Sequence, residues 1–182
     1  MKKNFKKLVK ILNNGGIAVM PTDTIHGIVC RAQDRKTVEK IYSLKKRNPT
    51  KATIILIDSL DRLKLFGIQP TNEILETLSH YWPGPVSIIL DCHDEAYSYL
   101  HRGTNSLAFR LPYDKTLQEL IKSTGPLVAP SANIEGMSPA KNNEEAYKYF
   151  GDSIDIYVDG PSAEKASKII KISKDGLEVI RP

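Results

Sequence analysis

Four segments of the chain carry polar side chains directly behind short apolar runs. They are residues 21–27, residues 45–51, Arg110 and residues 129–139. Together they supply hydroxyl groups, an amide and several cations, without an obvious pair of a nucleophile and a base. In α/β proteins, ligands gather where strands end and loops begin. Cations and hydroxyl donors at such positions suit the binding of anionic groups such as carboxylates and phosphates.

Each segment also has an ordinary structural interpretation, which we favour when the segment is considered alone. Residues 22–24 are common in turns and caps. The basic residues 45–47 follow a predicted helix, whose dipole favours cations at that end. Ser131 and Asn133 could cap a helix or shape a turn. Only the combination of the four segments favours a functional site.

Several common site types lack their motif in this sequence. No phosphate loop, dinucleotide-binding glycine motif or His-Glu-x-x-His motif occurs. Residues 91–95 contain metal-ligand types, but neighbours on an extended chain point to opposite faces, so we interpret them as a solvated loop. The four histidines form no ligand spacing, and only His26 lies in a suspected segment.

Short apolar strands alternate with amphipathic helices along the chain. Helices are predicted at the N-terminus, over 35–45 with Asp34 as N-cap, and over 72–81, 116–123 and 144–150. Strands are predicted over 17–20, 53–57, 86–90, 107–111, 127–129, 156–158, 169–172 and 177–180. The last two form a hairpin around Lys174-Asp175-Gly176. The pattern predicts an α/β domain with a twisted mixed sheet and flanking helices.

The length of 182 residues predicts a single domain over 1–182. A net charge of +5 favours anionic partners, although a lysine-rich surface is the simpler explanation. Cys30 and Cys92 are too few for a disulfide framework. With no signal peptide and no apolar run of membrane-spanning length, we expect a cytoplasmic protein.

Six blocks of sequence resemble motifs of the YrdC family and follow one another along the chain in the family's order. Residues 16–27 resemble its opening motif, and residues 81–87 resemble its W-P-G-P-x-T/S segment. Lys45-Lys46-Arg47 and Ser131-Ala132-Asn133 resemble its paired K-x-R and S-x-N signatures. Residues 108–112 are similar to its arginine strand, and the chain ends like the family's L-R-P segment. The blocks span nearly the whole chain.

The resemblance implies a YrdC-like fold whose sheet lines a basic concave groove. It also implies a nucleotidyltransferase, an L-threonylcarbamoyladenylate synthase. Such an enzyme uses L-threonine, bicarbonate and ATP and releases pyrophosphate, for threonylcarbamoyladenosine formation in tRNA. Mg²⁺ is then expected to arrive with ATP, without a protein-bound metal. The implied partners are the proteins that transfer the threonylcarbamoyl group to tRNA, and tRNA or double-stranded RNA itself.

The resemblance further implies the roles of individual residues. Lys45 and Arg47 are the implied catalytic residues. The residues implied to bind threonine and the carbonate-derived group are Thr24, Arg110, Ser131 and Ser167. The residues implied to bind ATP are Lys51, Ser106, Asn133, Ser138 and Arg181. Asp23 is expected to be an outer contact at most.

The sequence departs from the family pattern at several positions. Asn48 stands where the family usually has proline, and Ala52-Thr53 replaces a Pro-Leu pair. Ala140 takes the place of a threonine, and His26 that of a tyrosine. The late G-x-E-S-T stretch is degenerate at residues 164–168.

Three other functions remain open from the sequence. The groove could bind RNA through its phosphates without synthesising an adenylate, although no aromatic RNA-binding strand is evident. The chain could be a carbamoyl-transfer domain like that of the hydrogenase maturation protein HypF, but that protein's cysteine-rich zinc segments are absent. An inactive paralogue is disfavoured because Lys45, Arg47, Ser131 and Asn133 are retained.

Overall fold

A computed structural model describes residues 4–163, 165–173 and 176–182 of the chain. Within these ranges the strands are β1 (Ala18–Met20), β2 (Gly27–Arg31), β3 (Ile54–Leu56), β4 (Val86–Asp91), β5 (Ser106–Arg110), β6 (Leu127–Val128), β7 (Ile156–Tyr157), β8 (Lys168–Ser173) and β9 (Gly176–Arg181). The α-helices are α1 (Phe5–Asn13), α2 (Arg35–Leu44), α3 (Asn72–Tyr81), α4 (Ser98–His101), α5 (Lys115–Thr124) and α6 (Asn143–Phe150). Short 3₁₀ helices cover Leu60–Phe66, Glu95–Tyr97 and Gly151–Ser153.

The strands join one mixed sheet in the order β7-β1-β2-β6-β3-β5-β4-β8-β9. The pairs β1–β7, β3–β5 and β4–β8 are parallel, and the other neighbouring pairs are antiparallel. The prediction of a mixed sheet with flanking helices is therefore confirmed. Parallel neighbours require crossover connections, which explains why helices separate most of the strands.

The two faces of the sheet carry two separate apolar clusters. Consecutive strand residues point to opposite faces, so Val19 joins one cluster while Ala18 and Met20 join the other. The larger cluster packs against α2, α3 and α6, and the smaller one against α1 and α5. Each of these helices is amphipathic and buries its apolar stripe against the sheet.

The face that carries α1 and α5 also supplies the floor of a cavity. On β5, Leu107 and Phe109 are fully buried in the larger cluster, whereas Ser106, Ala108 and Arg110 line the cavity. The alternation along this strand therefore sends its apolar side chains to one face and its functional ones to the other. The sequence analysis placed ligands at strand ends; the cavity instead extends across the face of the sheet.

Local sequence signals account for most elements. The bounds of α3 are those predicted, and the Asp34 side chain accepts a hydrogen bond from the Thr37 backbone N–H, as expected of the N-cap of α2. The strand β2 was missed, although its Ile-Val-Cys run is apolar. The final hairpin pairing of β8 with β9 is confirmed, while its predicted turn residues Lys174 and Asp175 lie outside the described residues.

A search of the described helices for a membrane span finds none with the required length and apolar character. Cys30 and Cys92 are both buried and free.

Candidate active site

A cavity of about 490 Å³ lies over the sheet face and collects residues from most of the chain. Its volume is typical of small-molecule sites, which occupy about 300–1,000 Å³. Ten of the eleven residues with an implied role line it, namely Thr24, Lys45, Arg47, Lys51, Ser106, Arg110, Ser131, Asn133, Ser167 and Arg181. Side chains separated by more than 150 positions in the sequence therefore meet in one place.

The end of α2 fixes the geometry of the K-x-R segment. The Arg47 N–H donates to the Tyr42 carbonyl at 3.0 Å, and the Lys46 N–H donates to the Ser43 carbonyl at 3.1 Å. Lys46 has a φ of 48°, in the left-handed region. This bonding pattern is a Schellman motif, which ends the helix and reverses the chain. The exposed Lys46 is thereby the turn residue, while Lys45 and Arg47 are directed to the cavity.

Lys45 is 1% exposed and holds the S-x-N segment from the opposite side. Its Nζ donates to the Ser131 carbonyl at 2.5 Å, to the Asn133 carbonyl at 2.6 Å and to Asn133 Oδ1 at 3.3 Å. Three acceptors match the three hydrogens of an ammonium group. Burial, with a smaller contribution from Arg47, lowers the pKa of Lys45 to about 7.

Asn133 organises the loop that follows β6. Its Nδ2 donates to the carbonyls of Ile134 and Met137 at 2.8 and 2.7 Å. Its Oδ1 accepts from Ser131 Oγ at 2.5 Å as well as from Lys45. The loop is also tied to the residue that precedes β2, since the Ala132 N–H donates to the His26 carbonyl at 2.9 Å. The amide is therefore saturated within the protein, and Ser131 is the more accessible partner on this wall.

The rim of the cavity next to this loop carries Arg47 and Lys51. Arg47 donates from Nε to the Lys51 carbonyl at 3.2 Å and from Nη2 to the Ala52 carbonyl at 2.6 Å. Lys51 Nζ lies 3.1 Å from Glu135 Oε1. The Asn48 N–H and the Lys51 ammonium lower the pKa of Glu135 because both donate to its carboxylate. The sequence analysis did not single out Glu135, which lies two positions beyond Asn133.

Arg110 and Asp23 form an ion pair beneath the cavity. Arg110 Nη2 donates to Asp23 Oδ1 at 2.9 Å, and the two side chains are 4% and 0% exposed. Burial raises the pKa of Asp23, and the neighbouring guanidinium only partly offsets this rise. Asp23 was expected to be an outer contact at most; its position explains how a buried arginine is tolerated in the floor.

Two hydroxyl groups stand beside this pair. Thr22 Oγ1 lies 3.0 Å from Thr24 Oγ1 and donates to the Ile25 carbonyl at 2.7 Å. Both threonines line the cavity. His26 lies next to them, with its Nδ1 2.8 Å from Ser162 Oγ, and burial lowers its pKa.

The far end of the cavity is built from the last two strands. Ser167 Oγ lies 2.9 Å from Ser87 Oγ, and the Ser167 carbonyl accepts from Arg181 Nη2 at 2.6 Å. These bonds hold Arg181 at the cavity edge. Ser106 lies at the start of β5 and donates to Thr104 Oγ1 at 3.3 Å.

Ser138 is the one residue with an implied role that does not line the cavity. It is exposed, and its carbonyl accepts a hydrogen bond from the Tyr149 hydroxyl at 2.9 Å. Its neighbours Gly136 and Pro139 do reach the lining. The role implied for Ser138 therefore stays a prediction without support from its position.

The lining has a strong charge imbalance among the described residues. It contains one carboxylate, that of Glu135, and five cationic side chains, those of Lys45, Arg47, Lys51, Arg110 and Arg181. Within the described part of the chain, no group of three or more His, Cys, Asp or Glu side chains is arranged to hold a metal ion. The cavity is therefore suited to multiply charged anions.

Comparison with known proteins gives a consistent result. Residues 10–182 match the profile of the Sua5_yciO_yrdC family, whose description reads "Telomere recombination". A relative from Marinobacter nauticus, named threonylcarbamoyl-AMP synthase, is 34% identical over 164 residues, which are 87% of this chain and 85% of the relative.

Two solved structures share the fold. The Sua5 protein of P. abyssi, crystallised with L-threonine, matches with a TM-score of 0.90 at 24% identity, over 100% of this chain and 54% of that protein. The E. coli YciO structure matches with a TM-score of 0.86 at 20% identity, over 100% of this chain and 89% of that one. This chain thus spans about half the length of the Sua5 protein and most of YciO.

Proposed function

The chain belongs to the Sua5/YciO/YrdC family, and we propose that it is an L-threonylcarbamoyladenylate synthase. The observation that carries this function is the convergence of ten residues with implied roles on one cavity with five cations and one carboxylate. A relative that is 34% identical over most of both chains bears the name of this enzyme. The product serves threonylcarbamoyladenosine formation in tRNA.

The reaction brings together three substrates that each carry an anionic group. The amine of L-threonine attacks the carbon derived from bicarbonate, with loss of water, and forms an N-carboxy group. An oxygen of this group then attacks the α-phosphorus of ATP, and the bond to the β-phosphate oxygen breaks. Pyrophosphate leaves with the electrons of that bond, and threonylcarbamoyl-AMP remains. No enzyme nucleophile is required, which agrees with the side chains in the cavity.

The residues divide by the type of contact they can make. Arg47 and Arg181 carry planar guanidinium groups at the rim and edge, suited to bidentate contacts with phosphates. Thr24, Ser131 and Ser167 offer hydroxyl groups to threonine. Arg110 offers N–H donors from the floor to the threonine carboxylate, while Asp23 balances its charge. Developing negative charge on the phosphates is stabilised by cations that are already in position.

Mg²⁺ enters the proposal as part of the substrate MgATP. Asp23 is buried in its pair with Arg110, and Glu135 is the one carboxylate among the described lining residues, too little to cage the ion by itself. The chain therefore contributes charge and orientation, and the triphosphate carries the metal.

RNA binding in the same cavity is the weaker alternative. A volume of about 490 Å³ fits a nucleotide and an amino acid, whereas RNA would need a longer basic surface. Proteins that transfer the threonylcarbamoyl group to tRNA are the proposed recipients of the product.

The decisive experiment is release of pyrophosphate from MgATP, with L-threonine and bicarbonate supplied together or omitted singly. We expect release to require both. The Lys45→Ala and Arg47→Ala variants should each lose at least about 100-fold in turnover, the size of effect seen when one transition-state donor is removed.

Lys64→Ala is the matched control, because Lys64 lies outside the cavity lining and forms a surface ion pair with Asp61, both side chains being exposed. Its turnover should equal that of the wild type. Full activity in both cavity variants would contradict the proposed role of the cations. Salt-sensitive RNA binding without any pyrophosphate release would favour the alternative.

A further inference from the structure

Glu135 is joined to the segment 45–51 by three hydrogen bonds across the cavity. Its Oε1 accepts from Lys51 Nζ at 3.1 Å, and its Oε2 accepts from the Asn48 N–H at 2.5 Å. Its own backbone N–H donates to the Lys45 carbonyl at 2.8 Å. No other carboxylate occurs among the described lining residues, although five cations lie around the cavity.

The donors that Glu135 engages are those that bind phosphate in proteins. An ammonium group combined with a backbone N–H is a common phosphate-binding pair. A carboxylate satisfies both donors, but a phosphate offers more negative charge and more acceptor oxygens. The side chain therefore occupies a place that suits a phosphate oxygen better.

The backbone of the loop that carries the two donors is held independently of Glu135. The Tyr42 hydroxyl donates to the Lys51 carbonyl at 2.8 Å, and Arg47 donates to the carbonyls of Lys51 and Ala52. Tyr42 is buried against the larger apolar cluster. Because these bonds fix the backbone at Lys51 and Ala52, the loop stays in place when the carboxylate moves away, and the Lys51 ammonium is free to bind another anion.

Asn48 provides a donor that the resembled family usually lacks. Proline has no N–H, so a chain with proline at this position cannot make the bond to Glu135 Oε2. The departure at Asn48 and the carboxylate at Glu135 therefore belong to one local arrangement.

We propose that Lys51 and the Asn48 N–H form a phosphate subsite for ATP, and that Glu135 occupies it as an internal anion until the triphosphate displaces it. This inference rests on the proposed function, which assigns ATP to the cavity. Glu135 is a positioning residue, because it acts through Lys51. The side chains of Lys51 and Glu135 are 61% and 27% exposed, so solvent screens their attraction and a more highly charged group replaces the carboxylate.

The test measures binding of MgATP by calorimetry in the full-length chain. Glu135→Gln removes the charge but keeps an oxygen for the Asn48 N–H. Because the competing anion is lost, we expect the Kd for MgATP to fall about twofold to fivefold, the range of an exposed ion pair. The KM for MgATP should fall in the same direction, because the effect arises in binding of the substrate.

A double-mutant cycle assigns the effect to Lys51. In a Lys51→Gln background, Glu135→Gln should no longer tighten binding, because the cation that the carboxylate neutralises is gone. The matched control is Glu76→Gln on the exposed face of α3, which should leave the Kd unchanged. If Glu135→Gln lowers the melting temperature, Glu135→Ser serves as the second variant. We expect it to tighten MgATP binding to the same extent.

Equal or weaker MgATP binding in both Glu135 variants would overturn the proposal. A gain that persists in the Lys51→Gln background would also overturn it, because the carboxylate would then act elsewhere. The proposed function fails by a different measurement, namely absence of threonine-dependent pyrophosphate release from the wild-type chain.

Discussion

Two buried cations lie at the same cavity, and the protein stabilises them in different ways. The lysine anchor, formed by Lys45 with Ser131 and Asn133, surrounds an ammonium group with three neutral oxygens. The buried ion pair, formed by Arg110 with Asp23, places a carboxylate against the guanidinium. Both cations are at least 97% buried.

The difference determines which cation can respond to an anionic ligand. The ion pair is neutral as a unit, and its charge is compensated before any substrate arrives. The lysine anchor has no full negative charge beside its ammonium, which explains why burial brings the pKa of Lys45 to about 7. An incoming phosphate or carboxylate is therefore the counter-ion that the lysine anchor lacks.

The largest expected loss of stability follows from breaking the buried ion pair. Asp23→Asn leaves the Arg110 charge buried without a partner, so the free energy of unfolding should fall by about 3–5 kcal/mol. Urea unfolding measures this loss. Asp23→Leu combined with Arg110→Met should be more stable than Asp23→Asn, because the double variant buries no charge. A loss below about 1 kcal/mol for Asp23→Asn would mean that the guanidinium is solvated through the cavity.

A smaller loss of stability is expected for the lysine anchor. Lys45→Met keeps the aliphatic volume but leaves the Ser131 and Asn133 carbonyls without their donor, at a cost of about 1–3 kcal/mol. The same urea experiment applies, with threonine-dependent turnover as a second readout. Stability equal to the wild type would show that the loop is held by Asn133 alone.

The pH dependence of stability separates the two regions further. The pKa of Lys45 is lowered to about 7 from 10.5, so between these values the unfolded chain binds the proton that the folded chain has lost. Stability should therefore rise with pH in this window, by up to about 1.4 kcal/mol per pH unit. Below pH 7 both states are protonated, and the full cost of burying the charge is present.

Lys45→Met supplies the control for this window, because the difference between the two stability curves isolates one titrating group. The arginine of the ion pair keeps its proton throughout. The double variant Asp23→Leu with Arg110→Met removes the ion pair without leaving a buried carboxyl to titrate, so it should leave the slope unchanged. Parallel curves for the wild type and Lys45→Met between pH 7 and 9 would contradict the lowered pKa.

The smallest effect is expected within the loop that the lysine anchor holds. Ser131→Ala removes the donor to Asn133 Oδ1, which still accepts from Lys45 Nζ. One neutral hydrogen bond contributes about 0.5–1.5 kcal/mol, so thermal unfolding should show a small decrease. If Ser131 also contacts threonine, the folded variant should show a higher KM for threonine in addition to the loss of stability.

Sequence reasoning succeeded where the determining interactions are local. The N-cap at Asp34, the helix Asn72–Tyr81 and the strand β5 follow from neighbouring residues in the chain. It failed at β2, a short run that is buried on both faces and lies between two polar segments. Such a strand lacks the alternating pattern by which exposed strands are recognised.

The residues of the candidate site likewise divide into those that the sequence identified and those that only the structure identified. Residue types and motif order identified ten of the cavity-lining residues. They did not identify Glu135, nor the contact of Asp23 with Arg110, because each joins segments 84 or more positions apart. Ser138 was included on its motif alone and lies outside the lining.

The sequence by itself determined the α/β class, most helices and strands, the family and the set of cations. Periodicity, caps and residue types act over a few positions, so they can be recognised in the chain alone. Only the tertiary structure decided which cation is paired with a carboxylate, which is held by neutral oxygens and which lies at the rim. Those assignments depend on distances between remote segments and on the water excluded from between them, since both set the energy of a charge.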